Sequence, residues 1–250
     1  MAGGLILWVL AVVPSTAVGS DAAVRYRRIC GPCHGQRGDG LGPAAGYLPL
    51  RPRDFTRGEY KFRSTPSGSL PLDSDLARTI RRGLPGTPMP AWRGALSEEE
   101  IGDVVRVVKS FSRRFADEPA PSRLQIPRPP RFDARLVREG RRTWKLFQCA
   151  SCHGPRGRGD GPSVPGLRDS DGLPIRPRDF TVGIYKGGSS PRDVYRTFMT
   201  GLDGTPMPSY MDTLADERAR WALVAYVQSL GRRPSFFDWL FADPLVSRAR

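Results

Sequence analysis

The chain has 250 residues, a formal net charge of +14, four cysteines and two histidines. Its length allows one large domain or two of about 100 to 150 residues, and its 28 Gly and 25 Pro, about a fifth of the chain, exclude long uninterrupted helices or strands as the dominant structure. A hydrophobic content of 39%, before glycine is counted, excludes global disorder.

In chain order, residues 1–19 read as a secretory signal peptide. Leu5 to Val13 are apolar, Pro14 breaks the run, and Ala17-Val18-Gly19 supplies small residues before a cut near Ser20. The run is too short to span a bilayer. No Lys or Arg precedes Leu5, which points to a translation start further upstream. Residues 20–111 form the first of two similar domains, in which Asp21 to Arg28 can be helical and leads into Cys30-Gly31-Pro32-Cys33-His34. The string returns as Cys149-Ala150-Ser151-Cys152-His153, so every Cys and every His of the chain belongs to a C-x-x-C-H unit. Two thiols about one helical turn apart can reach both vinyl groups along one haem edge, and the adjacent His then faces the iron. Two disulfides or one zinc site would use the same residues differently. Zinc would have to pair the two units across 115 intervening residues, and a redox dithiol gives no reason for a His after each second Cys. The strings predict two covalently attached c-type haems, held through Cys30, Cys33, Cys149 and Cys152.

The duplication extends well beyond these strings. Gly38-Asp39-Gly40 matches Gly159-Asp160-Gly161, Arg51-Pro52-Arg53-Asp54-Phe55-Thr56 matches Arg176-Pro177-Arg178-Asp179-Phe180-Thr181, and Gly58-x-Tyr60-Lys61 matches Gly183-x-Tyr185-Lys186. Gly86-Thr87-Pro88-Met89-Pro90 matches Gly204-Thr205-Pro206-Met207-Pro208. Between these segments a helix is predicted from Asp73 or Ser74 as cap to a stop at Gly83, and another from Ser190 as cap, with Pro191 in first position, to Gly201. After the Met segment, Ser97-Glu98-Glu99-Glu100 forms a capping box ahead of an apolar face of Ile101, Val104, Val105, Val108 and Phe111. The second copy places Ala219, Ala222, Leu223, Tyr226, Val227 and Leu230 on the corresponding face before Gly231. Residues 112–131, with five prolines among many charges, read as an extended Pro-rich linker, and 132–231 as the second domain, opened by a helical stretch from Asp133 to Gln148. Residues 232–250 are an apolar tail outside the repeat. Packing against a domain and docking to a membrane complex or partner subunit both fit it.

With these features in this order, twice, the chain resembles a tandem di-haem class I cytochrome c, similar in layout to the soluble two-domain cytochromes of bacterial respiratory chains. The resemblance spans residues 21–231. It implies an all-α fold of two tandem class I cytochrome c domains, each a small helical domain wrapped around one covalent haem. It also implies His34 and His153 as proximal iron ligands and Met89 and Met207 as distal ones. Pro43 and Pro162, each nine residues after its His, then look like the proline whose carbonyl accepts the His ring N–H. The R-P-R-D-F-T and G-x-Y-K strings look like a family variant whose Arg or Tyr could meet haem propionates.

The residue count supports Met separately. With both His used proximally, the remaining options are Met, Lys, Tyr or an open site. Of the five Met, Met1 goes with the leader, Met199 falls opposite Arg81, and Met211 opposite Arg93; only Met89 and Met207 are each other's counterparts. Each lies between two prolines, which present it stiffly. Two filled axial positions leave little room for a small substrate and suit electron transfer. A di-haem peroxidase, the enzymatic alternative, needs an open or rearranging iron and usually a distal His, which this chain lacks. The expected function is a periplasmic electron carrier between respiratory redox partners, or a dedicated haem subunit of a larger oxidoreductase or membrane respiratory complex. Nucleic acid is not an expected partner, because only four of the 39 basic residues are Lys and no basic block or nucleic-acid motif occurs. The positive charge instead predicts redox partner proteins that are acidic at the docking surface.

Overall fold

The computed structural model describes residues 17–231. The greater part of the signal segment and the tail 232–250 lie outside them. Nine α-helices occur among the described residues, joined by long Gly/Pro-rich loops, and the extended pairing there is limited to two isolated bridges, Arg93 with Leu96 and Arg168 with Pro174. The first copy contains α1 (Ala17–Arg25), a π-turn over Tyr26–Cys30, α2 (Gly31–His34), α3 (Asp73–Arg82) and α4 (Glu98–Ser110). After α5 (Arg114–Asp117), the second copy repeats the set as α6 (Ala134–Leu146), α7 (Ala150–His153), α8 (Pro191–Thr200) and α9 (Glu217–Leu230).

Local sequence sets most of these ends. Ser97 Oγ accepts from Glu100 N–H at 3.2 Å while Glu100 accepts from Ser97 N–H at 2.8 Å, which is the expected capping box. Ser190 accepts from Asp193 N–H at 3.2 Å, Pro191 opens α8, and Gly201 ends it at φ 67°. At α3 the expected cap differs. The helix already includes Asp73 and Ser74, Leu72 is the flanking residue, and Asp75 reaches back to accept from Leu72 N–H at 3.2 Å. Buried Asp75 also accepts from Ser64 N–H at 2.8 Å and pairs with Arg78 at 2.9 Å, so it ties a loop to the helix start. The equivalent Asp193 pairs with Arg196 at 2.6 Å.

In each copy the first helix crosses the last one. Small residues sit at the crossing: Ala22 is buried in the first copy, and in the second a Cβ on Gly140 would lie 1.8 Å from the Ala222 carbonyl oxygen. Ion pairs fasten both crossings, Arg25 to Glu100 at 2.8 Å and Arg218 to Glu139 at 2.8 Å. The predicted faces of α4 and α9 are core, with Ile101, Val104, Val105 and Val108 buried in one cluster. α9 is buried more completely than one stripe requires, since Trp221, Val224 and Ala225 are also covered, between α6 and the body of its own copy.

The segment 112–131 is not extended throughout. Arg114 to Asp117 form a helical turn, and Arg114 fixes it by donating to the carbonyls of Gly58 at 2.9 Å and Gly68 at 2.8 Å. The remainder bridges the copies: Leu124 N–H donates to the Ser64 carbonyl at 2.7 Å, and the Leu124 and Ile126 side chains pack on the second core. The copies also meet directly. The Arg63 guanidinium is fully buried, donating to the carbonyls of Tyr60 at 3.0 Å, Pro66 at 3.1 Å and Thr200 at 2.8 Å and pairing with Asp203 at 2.7 Å. A buried charge requires such complete pairing. The loop that lengthens the second copy joins the same contact, with Ser170 donating to Glu59 at 3.0 Å and Arg57 paired to Asp171.

A Gly140→Ala substitution is expected to force α6 and α9 apart and cost at least about 2 kcal/mol. Gly102→Ala, in the interior of α4 with nothing closer than 4.0 Å to the added carbon, is expected to stabilise by about 0.5–1 kcal/mol. Denaturant midpoints of the two variants moving in the same direction would contradict this account of the crossings.

Candidate functional site

Each C-x-x-C-H string forms a single helical turn, α2 or α7, that ends at a glycine with positive φ, Gly35 at 80° or Gly154 at 77°. The following loop folds back beneath the turn. A Cβ on Gly42 would lie 2.3 Å from the Pro32 carbonyl oxygen, and one on Gly161 would lie 2.3 Å from the Ser151 carbonyl oxygen. Only glycine permits that approach, which brings the R-P-R-D-F-T segment under the histidine. Phe55 N–H donates to the Gly38 carbonyl and Phe180 N–H to the Gly157 carbonyl, each at 2.7 Å, so the structural counterpart of Gly38 is Gly157 and not Gly159, which the sequence repeat pairs with it. The Asp of the same segment folds it by accepting from the Thr two residues on, at 2.9 Å for Asp54 and 2.8 Å for Asp179.

This placement gives both imidazoles the same phenylalanine neighbour. His34 stacks on Phe55 at 4.6 Å and 19°, and His153 on Phe180 at 4.7 Å and 19°. His34 Nδ1 lies 3.2 Å from the Arg53 carbonyl oxygen. A carbonyl only accepts, so the proton sits on Nδ1 and the Nε2 lone pair is left to face outward. His153 Nδ1 is turned to the equivalent Arg178 carbonyl outside strict hydrogen-bond geometry. The expectation that Pro43 supplies this carbonyl is therefore corrected. Pro43 and Pro162 are exposed because Gly42 and Gly161 occupy the tight position under the turn, and the acceptor comes from the repeated Arg instead. Burial lowers the affinity of both rings for a proton, taking His153 down to about 4, with the facing carbonyl opposing the shift. Both rings are neutral at neutral pH, as a metal-ligating imidazole must be.

Cys30, Cys33, Cys149 and Cys152 are all free thiols, half-buried on these turns. Burial raises Cys30 and Cys149 to about 11. A redox dithiol needs the opposite, a thiol with a lowered pKa. Tyr210 borders the same core cluster as Cys149, and its equivalent Trp92 borders the same cluster as Cys30. Sequence reasoning missed these two aromatics, although their shared offset from the Met was a usable signal.

The two methionine loops are the same structure built twice. Leu84 N–H donates to the Met89 carbonyl at 3.1 Å, Thr87 Oγ1 to the Leu84 carbonyl at 2.7 Å, and Met89 N–H to Thr87 Oγ1 at 3.2 Å. The corresponding bonds around Leu202, Thr205 and Met207 have the same lengths, 3.1, 2.7 and 3.2 Å. Thr in G-T-P-M-P therefore closes the loop that presents Met. Met89 and Met207 are half-exposed, whereas Met199 is buried in the second core and Met211 packs against it. Met207 and Cys149 border the same cluster.

These residues fit a covalently held haem. Unpaired thiols, a neutral imidazole and a stiffly held thioether occur in each copy, and the buried Tyr60 hydroxyl has no hydrogen-bond partner among the described residues, leaving it for an acceptor from outside. A groove lined by Ala22, Tyr26, Arg27 and Phe111 includes none of the site residues.

Comparison with known proteins gives matches in both halves. Residues 17–106 match the family "Cytochrome C oxidase, cbb3-type, subunit III", and residues 137–231 match the family "Cytochrome c". The chain is similar to cytochrome c55X of Stutzerimonas stutzeri, with 33% identity over 112 residues, 43% of this chain and 83% of that protein. It is also similar to cytochrome c55X of Pseudomonas aeruginosa, with 40% identity over 77 residues, 30% of this chain; here it spans only half the length of the relative. Among solved structures, it resembles a chain of the reducing HAO-like protein complex of Kuenenia stuttgartiensis, with a TM-score of 0.82 and 45% identity, covering 87% of this chain and 97% of that one.

Gly161→Ala is expected to displace the α7 turn and lower the melting midpoint. Gly166→Ala, with nothing within 4 Å of the added carbon, is expected to leave it unchanged. Equal midpoints for the two variants would refute the tight seat under the turn.

Proposed function

From the premise that the chain belongs to the cytochrome c family, as two all-helical cytochrome c domains in tandem that bind two covalent c-type haems and transfer electrons, we propose that it is a periplasmic di-haem carrier between redox partner proteins. The observation that carries this reading is the twofold occurrence of one geometry, with the His–Phe stack at 4.6 and 4.7 Å and the Met loops closed by bonds of equal length. When bound, a haem supplies one-electron Fe(III)/Fe(II) chemistry. Cys30 and Cys33 would hold one haem and Cys149 and Cys152 the other, each through thioether bonds. His34 and His153 would ligate iron through Nε2, their rings held in plane by phenylalanine and, for His34, by the Arg53 carbonyl. Met89 and Met207 would each hold the iron through a thioether sulfur as a further ligand, favouring the reduced state and leaving little room for small substrates.

The sequence of residues 1–19, with the pattern of a secretory signal, supports the periplasmic assignment. Haem propionates, about four charges, would leave a net charge of roughly +10, which favours a partner that is acidic at its docking surface. A second reading, a dedicated electron-transfer subunit of a larger oxidoreductase, is favoured by one observation. The similar Kuenenia chain belongs to a complex, and nearly all of it is covered. Co-purification of a stoichiometric partner from the native source would select that reading over a free carrier. The domain limits proposed are 20–111 and 132–231, with 112–131 between them.

Met89→Ala and Met207→Ala are each expected to remove half of the Met-to-ferric-iron charge-transfer absorption, and the double variant all of it. Cys33→Ala or Cys152→Ala is expected to lower the yield of two-haem protein; an unchanged yield would exclude these thiols as attachment points. Reduction by an acidic partner is expected to slow as ionic strength rises. A rate independent of salt would refute electrostatic docking.

A further inference from the structure

Arg53 and Arg178 hold the same place in the repeated R-P-R-D-F-T segment, and each faces two ways. The backbone carbonyl of each lies against the histidine of its own copy. The ends of the side chains reach the other copy. A Cβ on Gly86 would lie 3.2 and 3.5 Å from the two terminal nitrogens of Arg178, and one on Gly204 would lie 3.3 Å from Arg53 Nη1. Gly86 and Gly204 are the equivalent first residues of G-T-P-M-P, both at positive φ, 72° and 74°, three residues before Met89 and Met207. Each arginine thus crosses the contact between copies and stands over the methionine loop of the other one.

The two side chains are seated differently. Arg178 Nε donates to the Ile184 carbonyl at 2.8 Å. Arg53 is desolvated and sits in the field of Glu59, Asp169 and Asp171. Glu59 itself stands beside Gly204, with one carboxylate oxygen 3.0 Å from a Cβ built there. The crossing is therefore part of the packed contact between the copies.

We propose that Arg178 and Arg53 are positioning residues acting in trans: Arg178 tunes the His34/Met89 site, and Arg53 tunes the His153/Met207 site. This rests on the axial ligands assigned above. A guanidinium near an iron site disfavours the more positive oxidised state, so it raises the reduction potential of that site. Its contact with the loop also restricts the backbone that presents Met. The reciprocal arrangement makes each site sensitive to the seating of the other copy, through a residue whose carbonyl lies at the neighbouring histidine.

The test is a spectroelectrochemical titration of the full two-haem protein, with the two steps assigned by the Met89→Ala and Met207→Ala variants. Charge-transfer bands lost one at a time in those variants establish the ligands independently of the arginines. If neither variant removes a band, the ligand assignment fails first. With the ligands established, Arg178→Leu is expected to lower the potential of the Met89 step and leave the Met207 step unchanged. Arg53→Leu should give the reverse, and Arg178→Lys should restore most of the Met89 value. Arg178→Gln and Arg53→Gln, which keep more of the side-chain packing, serve if the Leu variants do not accumulate. A shift confined to the variant's own domain, an equal shift of both steps, or no shift in either overturns the proposal.

Discussion

The imidazole of each C-x-x-C-H turn is clamped between a phenylalanine ring and a backbone carbonyl contributed by one segment, and much of the surrounding architecture serves that clamp. For the R-P-R-D-F-T segment to run beneath the ring, the loop after the turn must press against the turn's own carbonyls, which only Gly42 and Gly161 allow. The segment must then be anchored, which the Phe55–Gly38 and Phe180–Gly157 backbone bonds and the aspartate turns achieve. Helices take up the rest of the work: α1 and α4, and α6 and α9, provide the apolar wall behind each ring, with Tyr26 and Trp144 at matching places in it. Small domains with many glycines and prolines have thin cores. A large covalently bound macrocycle completes such a core, so cofactor binding and folding draw on the same residues.

The second governing constraint is the contact between copies. It is built from the segments that also make the sites: residues 57–63 follow the first clamp, and Thr200 to Gly204 lead into the second methionine loop. Burying Arg63 there demands four acceptors at 2.7 to 3.1 Å, and two of them, Thr200 and Asp203, come from the other copy. Asp203 in turn accepts from Ser67 Oγ and Gly68 N–H, each at 3.0 Å, so the pair is tied into both backbones. The two C-x-x-C-H turns are thus carried on copies joined by a packed, hydrogen-bonded contact.

Much of this was legible in the sequence. The duplicated motifs located both clamps and both methionine loops, because cysteine, histidine, proline and glycine each carry an unmistakable chemical or conformational signature. Caps at Ser97 and Ser190 were legible for the same reason. The histidine acceptor was not, since a backbone carbonyl leaves no mark on residue identity and the family resemblance pointed to Pro43. The cap of α3 was misread because Asp75, two residues inside the helix, reaches back past two better-looking candidates. The repeated pattern Asp75-x-x-Arg78-Thr79 and Asp193-x-x-Arg196-Thr197 could have been found by the same comparison of halves. Arg63 could not, because residue 188, its counterpart, is glycine, and comparing copies reveals only what they share.

That unshared residue bears on how the molecule evolves. Two similar halves in one reading frame are open to unequal recombination and gene conversion, which tend to make them alike. Replacing the second half by a copy of the first would put Pro85 where Asp203 stands and leave Arg63 buried without its anion, while the reverse exchange would put Gly188 in place of Arg63 and strand Asp203. Either hybrid would keep both C-x-x-C-H strings and both methionine loops and still lose the lock between its domains. The Arg63–Asp203 pair therefore makes the two halves non-interchangeable, although each carries a full set of C-x-x-C-H and methionine-loop residues.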